Sequence, residues 1–149
     1  TRTNEVRFAT YNEFRLDDDI PTWIIPAERM KASREHRVPL SEHAVALIKS
    51  RPTGLPFSFS PHEHKAMSEN GMLSLLKRME ITGITVHGFR STFRDWCAEE
   101  TDFPREIVET ALAHANRDHV EAAYLRTDMF DKRYTLMCAW DEFVTSTLD

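Results

Sequence analysis

Apolar residues recur at helical spacing through most of the second half of the chain. From residue 68 onward they fall three or four positions apart, and the pattern breaks only near residues 82–83, Pro104 and Asn116. Each helix of this kind must bury one face against another element. We therefore expect helices over residues 68–81, 88–100 and 131–145, with a further helix starting at Pro104.

The inward faces of these helices follow from the same spacing. Helix 88–100 should bury a stripe of aromatic and apolar side chains, and so should the next and the last helices. The expected inward residues are Phe89, Phe93, Trp96 and Cys97, then Ile107, Val108, Ala111 and Leu112, and finally Tyr134, Met137, Trp140 and Val144.

The first half has a different pattern. Residues 4–10 fit a short helix, and residues 22–25 and 36–40 are rich in β-branched and aromatic residues, which predicts a β-hairpin with Lys31 near its tip. Ser41 is placed to cap a following helix. The expected fold class is mainly α with a small antiparallel β-sheet near the N-terminus (α+β).

Length and composition fit one globular domain. The chain has 149 residues, is 41% hydrophobic and contains four glycines, with no internal repeat. No apolar stretch is long enough to cross a membrane and residues 1–7 lack a secretory signal, so we expect a cytoplasmic protein with no membrane partner. Cys97 and Cys138 form no CxxC pair and are expected to be reduced core thiols.

The charge pattern bears on nucleic acid. The net charge of −5 argues against broad nonspecific binding to DNA, because affinity for DNA depends on neutralising phosphates with Lys and Arg. A binding face needs only local enrichment, however, and Arg29, Lys31, Arg34 and Arg37 are clustered in one short segment.

His87 and Arg90 lie three residues apart at the start of a predicted helix, so both should project from one face. A guanidinium fork and an imidazole at a helix N-terminus suit a phosphate group. Taken alone, this pair is a weak signal, and two solvated polar residues would be the better interpretation.

The His87–Arg90 pair is more informative when it is taken together with four other motifs. In chain order the five motifs are TRTNEVR at residues 1–7, MK at 30–31, VHGFRST at 86–92, LAH at 112–114 and VEAAYLR at 120–126. This ordered set resembles the tyrosine recombinases, and in particular the P4-like prophage integrases, over essentially the whole chain. The resemblance implies the catalytic-domain fold of that family and site-specific DNA recombination in prophage integration and excision.

The resemblance also implies roles for individual side chains. Tyr124 matches the nucleophile, and its phenol needs proton removal or a strongly positive site before it attacks phosphorus. The other roles are Arg2, Arg90 and His114 in stabilising the phosphate and transition state, Lys31 as general acid, and His87 as base or proton relay. Arg29, Arg34, Arg37, Arg94 and Arg126 are candidate DNA contacts, and a solvated face is an equally good interpretation of Arg94 and Arg126.

The implied reaction passes through a 3′-phosphotyrosyl bond and retains the phosphodiester energy, so neither a metal ion nor ATP is expected. The implied partners are double-stranded attachment-site DNA, further copies of the chain in a tetramer on DNA, and an excisionase or host DNA-bending protein. Residues 1–149 correspond to the C-terminal catalytic domain, and we expect its first helices and the upstream core-binding and arm-binding domains to be missing from this sequence.

Several alternatives stay open. The chain could be a noncatalytic DNA-binding or assembly remnant of a prophage integrase, or a type IB topoisomerase that relaxes DNA with the same chemistry. Residues after 131 could pack in cis or dock in trans. His62 and His64 suggest a metal site, but two histidines in a loop without further ligands are more often surface residues. Trp23, Trp96 and Trp140 are expected in the core.

Overall fold

The computed structural model describes residues 1–52, 54, 55, 57–60, 62, 64–114 and 128–146, and in these ranges it has six α-helices, two short 3-10 helices (Tyr11–Glu13 and Ala27–Arg29) and a small sheet. The helices are α1 (Thr3–Arg7), α2 (Glu42–Lys49), α3 (Gly71–Arg78), α4 (Gly88–Glu100), α5 (Arg105–Ala111) and α6 (Phe130–Thr145), and the strands are β1 (Phe14–Arg15), β2 (Thr22–Ile25) and β3 (His36–Pro39). The expected class, mainly α with a small antiparallel sheet near the N-terminus, is confirmed.

The sheet is antiparallel, with strand order β1-β2-β3. In the predicted hairpin, Trp23 lies opposite Val38 and Ile25 opposite His36. β1 pairs with β2 through only two residues, which is too short for a sequence pattern to reveal. The hairpin connection carries Lys31 at its exposed tip, as predicted.

Two hydrophobic clusters form the core, one on the sheet and one among the last three helices. The sheet cluster comprises Ala9, Phe14, Trp23, Ile25, Met30, Leu40 and Ile48. The helical cluster comprises Phe93, Cys97, Ile107, Val108, Leu112 and Leu136. α6 contacts both α5 and β3, so it joins the two parts.

The predicted helical faces need two corrections. Phe89 was expected to be buried, but its side chain is 55% exposed because it lies in the first turn of α4, one turn before the buried Phe93. In α6 the most buried residues are Arg133 and Leu136, whereas Val144 is exposed. This helix faces the sheet as well as α5, and apolar spacing alone does not reveal a second packing surface.

Most other expectations about the core are confirmed. Trp23 is buried, and Trp96 and Trp140 pack against the helical cluster with their ring centroids 5.1 Å apart. Cys97 and Cys138 are free thiols; Cys97 is buried in the helical cluster as expected, whereas Cys138 was expected in the core but is half-buried. Burial raises the pKa of Cys97 to about 11, so that thiol stays protonated at neutral pH. Within the described residues, no helix is long and apolar enough to span a membrane.

Replacing the cap of α2 should weaken the fold modestly. The Ser41 hydroxyl is buried and accepts a hydrogen bond from the Ala44 backbone N–H. We expect Ser41→Ala to lower the free energy of unfolding by about 1 kcal/mol, measured by urea denaturation. Ser50→Ala, at the exposed end of the same helix, is the control and should change it by less than about 0.5 kcal/mol. Equal effects of the two changes would contradict the capping role.

Candidate active site

The turn that ends α5 gathers the predicted site residues. Ala113 adopts a left-handed backbone conformation with φ of 51°, and its N–H donates to the Thr110 carbonyl. The last carbonyl groups of a helix have no partner within the helix and carry its negative end, so they attract cations. Two arginines from distant parts of the chain bind this turn.

Arg2 reaches the turn from the start of α1. One guanidinium nitrogen, Nη2, lies 3.4 Å from the Ala113 carbonyl oxygen, and the other, Nη1, donates to Glu5 Oε1 at 3.0 Å. The Glu5 side chain is only 2% exposed, and its second oxygen accepts the Arg2 backbone N–H. Glu5 therefore holds both the main chain and the side chain of Arg2.

Arg90 reaches the same turn from α4. Its Nη2 donates to the Leu112 carbonyl at 2.7 Å and lies 3.1 Å from Nε2 of His114. Burial and the nearby charge of Arg2 lower the pKa of Arg90, and the charge of Glu5 opposes this. Arg90 Nη1 is buried, and no atom of the described residues accepts its hydrogens. Arg90 therefore has a hydrogen-bond donor that no described residue accepts, and the positive charge of Arg2 lies nearby.

His114 completes the group. Its Nδ1 lies 2.6 Å from Glu109 Oε2, and the other oxygen of Glu109 accepts from Arg94 Nε at 2.9 Å. The structure therefore brings together three predicted site residues, Arg2, Arg90 and His114.

Lys31 and His87 form no hydrogen bond or ion pair with these three residues in the described part of the chain. Lys31 lies on the exposed hairpin tip with Arg34, and His87 is exposed in the turn before α4. Across the part of the chain that is described, the side chains of Lys31, Arg34 and His87 make no hydrogen bond or ion pair. Tyr124 and Arg126 lie outside the described residues.

Three of the candidate DNA-contacting arginines have carboxylate partners. Arg29 pairs with Glu13, Arg37 binds Asp128 through two hydrogen bonds of 2.9 and 3.2 Å, and Arg94 binds Glu109. Each carboxylate offsets part of the positive charge that a phosphate would meet, although guanidinium N–H groups remain that do not bind the carboxylate.

A charged cluster fixes the chain just beyond the segment that contains Tyr124. Arg133 is 1% exposed; its side chain donates to Asp128 Oδ2 at 3.0 Å, to the Asp128 carbonyl and to the Arg37 carbonyl. The Arg37 guanidinium carbon lies 4.0 Å from the Phe130 ring centroid, a cation–π contact. The start of α6 is thereby bound to β3 of the same chain.

Sequence reasoning missed the two carboxylates of the site. Glu5 had a signal, because a Glu three residues after an Arg on a helix is placed to pair with it. Glu109 and Arg94 come from different helices and are 15 residues apart, so no local pattern indicates their contact.

Metal binding has little support in the donor set. Within the described ranges, no group of three or more His, Cys, Asp or Glu side chains is placed to hold a metal ion. His62 and His64 are both exposed, as expected for surface residues. The side chains that converge at the site, Arg2, Arg90 and His114, carry positive charge or can donate hydrogen bonds. Such groups suit an oxyanion such as a phosphodiester.

Two arginines and a histidine that meet at the end of one helix, in a mainly helical domain, are suited to bind an oxyanion. The chain belongs to the phage integrase family, whose model matches residues 1–130. It is 35% identical to the prophage integrase IntA of Escherichia coli over 97% of this chain, and 33% identical to the integrase of Enterobacteria phage P4 over 96%.

The integrase of Shigella phage Sf6 is 29% identical over 96% of the chain. The chain spans only 36%, 37% and 38% of the length of these three relatives, respectively. No solved structure matches it.

Proposed function

We propose that this chain is the C-terminal catalytic domain of a site-specific DNA recombinase that integrates and excises a prophage. Its substrate is double-stranded attachment-site DNA, and Tyr124 cuts one strand to form a 3′-phosphotyrosyl intermediate. In this proposal, upstream DNA-binding domains complete the protein, and a tetramer of it performs the strand exchange.

One observation carries the proposal: Arg2, Arg90 and His114 converge on the turn after α5, and Arg90 Nη1 has no acceptor among the described residues. Two guanidinium groups and an imidazole can bind the two non-bridging oxygens of one phosphodiester. They stabilise the extra negative charge that develops as the phosphorus becomes pentavalent.

The strand cut is a balanced exchange. The Tyr124 oxygen forms a bond to phosphorus while the bond from phosphorus to the 5′ oxygen breaks. His87 takes the phenolic proton, directly or through water, and Lys31 protonates the departing 5′ oxygen. An ammonium group on a flexible stem at an exposed hairpin tip is suited to reach a leaving group on bound DNA. Attack by another strand's 5′-hydroxyl reverses the step, so no ATP is consumed.

The experiment that tests this proposal traps the intermediate. The longest expressible form of the protein is incubated with a nicked duplex taken from the DNA flanking its coding sequence, so that the cut strand diffuses away. We expect a covalent protein–DNA adduct that survives denaturant, and mass spectrometry of its peptides should find the nucleotide on Tyr124. Specific binding of the duplex without any adduct would refute the catalytic proposal and favour the noncatalytic DNA-binding module.

The carboxylate of Glu5 should matter for the reaction because it orients Arg2. We expect Glu5→Gln to slow adduct formation by roughly ten- to hundredfold, as for other residues that orient an active-site group, with DNA affinity little changed. Asp18→Asn is the control, because it removes one negative charge from an exposed turn. Thermal unfolding identifies any loss of folded protein. A normal cleavage rate in folded Glu5→Gln protein would rule out this role.

A further inference from the structure

Glu109 lies at the centre of a charged relay that ends in the proposed site. Its carboxylate accepts from His114 Nδ1 on one oxygen and from Arg94 on the other, and its side chain is 17% exposed. Burial raises the pKa of Glu109, but the hydrogen bonds and charges of His114 and Arg94 outweigh burial and lower the pKa overall. The carboxylate is therefore ionised at neutral pH.

These contacts fix the proton on the His114 ring. An ionised carboxylate only accepts hydrogen bonds, so Nδ1 must carry a hydrogen. A guanidinium only donates, so Nε2, 3.1 Å from Arg90 Nη2, must be the accepting nitrogen. The hydrogen-bond partners thus assign the neutral Nδ1–H tautomer when no phosphate is bound.

We propose that Glu109 is a positioning residue for cleavage: it sets the orientation and tautomer of His114 and stabilises its charged form when a phosphodiester enters. This inference rests on the proposed function. When Arg90 turns to the phosphate, Nε2 loses its donor. The imidazole then takes a proton from solvent and donates it in a hydrogen bond to a phosphate oxygen.

The surroundings of His114 agree with this change of role. Glu109 on α5 faces Nδ1, and Arg90 on α4 faces Nε2. Arg94 binds the far oxygen of Glu109, and Arg2 reaches the adjoining Ala113 carbonyl. The carboxylate is the negative group in contact with the ring, so it compensates the charge that His114 gains. A carboxylate that orients a histidine is a general arrangement in enzymes.

The test measures cleavage and DNA binding separately, on the longest expressible form of the protein and the nicked duplex. We expect Glu109→Gln to lower the single-turnover rate of adduct formation by about ten- to hundredfold, the range for residues that orient an active-site histidine. Glu106→Gln is the matched control, because it removes the same charge from an exposed position on α5. The dissociation constants for DNA should agree between the two variants.

A double variant distinguishes a positioning role of Glu109 from a purely structural one. In a His114→Ala protein, adding Glu109→Gln should change the cleavage rate by less than about twofold, because the two residues act as one unit. An unchanged rate in Glu109→Gln alone, or a fully additive loss in the double variant, would overturn the inference.

A measurement on the protein without DNA tests this inference independently of the proposed function. Nitrogen NMR of the imidazole should show the proton on Nδ1 of His114, with a weaker preference in Glu109→Ala. Absence of that preference in the unsubstituted protein overturns the inference even if the adduct forms. Absence of the adduct together with a clear Nδ1–H signal refutes the proposed function instead, and with it the catalytic part of the Glu109 role.

Discussion

A Tyr124→Phe variant should form no covalent adduct with nicked attachment-site DNA while still binding that DNA. Phenylalanine keeps the ring but lacks the oxygen that forms the bond to phosphorus. The remaining cations, Arg2, Arg90 and Lys31, still attract the phosphodiester. We therefore expect adduct formation to fall below detection, with the dissociation constant for DNA unchanged within about twofold, because affinity rests on phosphate neutralisation.

The matched control is Tyr134→Phe, which makes the same change on α6. It should leave both adduct formation and DNA binding intact. An adduct in the Tyr124→Phe protein would falsify the assignment of the nucleophile, and peptide mapping would then identify the residue that carries the nucleotide.

The second large effect concerns stability. We expect Arg133→Leu to lower the free energy of unfolding by about 3 kcal/mol, because the loss of its buried guanidinium leaves the Arg37 and Asp128 carbonyl oxygens without this donor, while the Asp128 carboxylate keeps Arg37 as a partner. Arg133 is 1% exposed and supplies hydrogen bonds to Asp128 and to the Arg37 carbonyl. Leucine fills much of the space but donates to none of them. Urea denaturation followed by circular dichroism measures the difference.

Lys132→Leu is the control, since it places the same side chain at the neighbouring exposed position of α6. It should change the free energy of unfolding by less than about 0.5 kcal/mol. A loss below about 1 kcal/mol in Arg133→Leu would mean that the cluster contributes little, as some buried ion pairs do.

The same cluster ties the chain at Asp128 to the sheet. Asp128 is bound to Arg37 of β3 in the same chain, and Tyr124 precedes it by four residues. Four residues of extended chain span at most about 14 Å. This limit on the separation of residue 124 from Asp128 follows from chain length alone.

Local patterns predicted most of the fold. Apolar spacing gave α4 with its observed bounds, Gly88–Glu100, and the β-branched runs gave the hairpin of β2 and β3. The pattern failed where tertiary packing decides. Phe89 continues the apolar stripe of α4 but lies beyond the elements that cover Phe93, and a periodicity contains no information about where a neighbouring helix ends.

The site was predictable in part. Short motifs indicated Arg2, Arg90 and His114, and the structure brings these three together. The carboxylates that bind these residues were not predicted. Glu109 is defined by contacts with His114 and with Arg94 on another helix, and a contact between separate elements leaves no spacing in the sequence.

The turn after α5 binds its two arginines through main-chain oxygens, those of Leu112 and Ala113. Main-chain atoms are present whatever the side chain, so the alignment of the two guanidinium groups depends on the path of the backbone, which at residue 113 requires a side chain that tolerates a positive φ. Glycine adopts the left-handed conformation without strain and suits this position as well as alanine. A change to glycine at residue 113 should therefore be tolerated, whereas proline, a β-branched residue, or an insertion or deletion there would shift the backbone and move both charges at once.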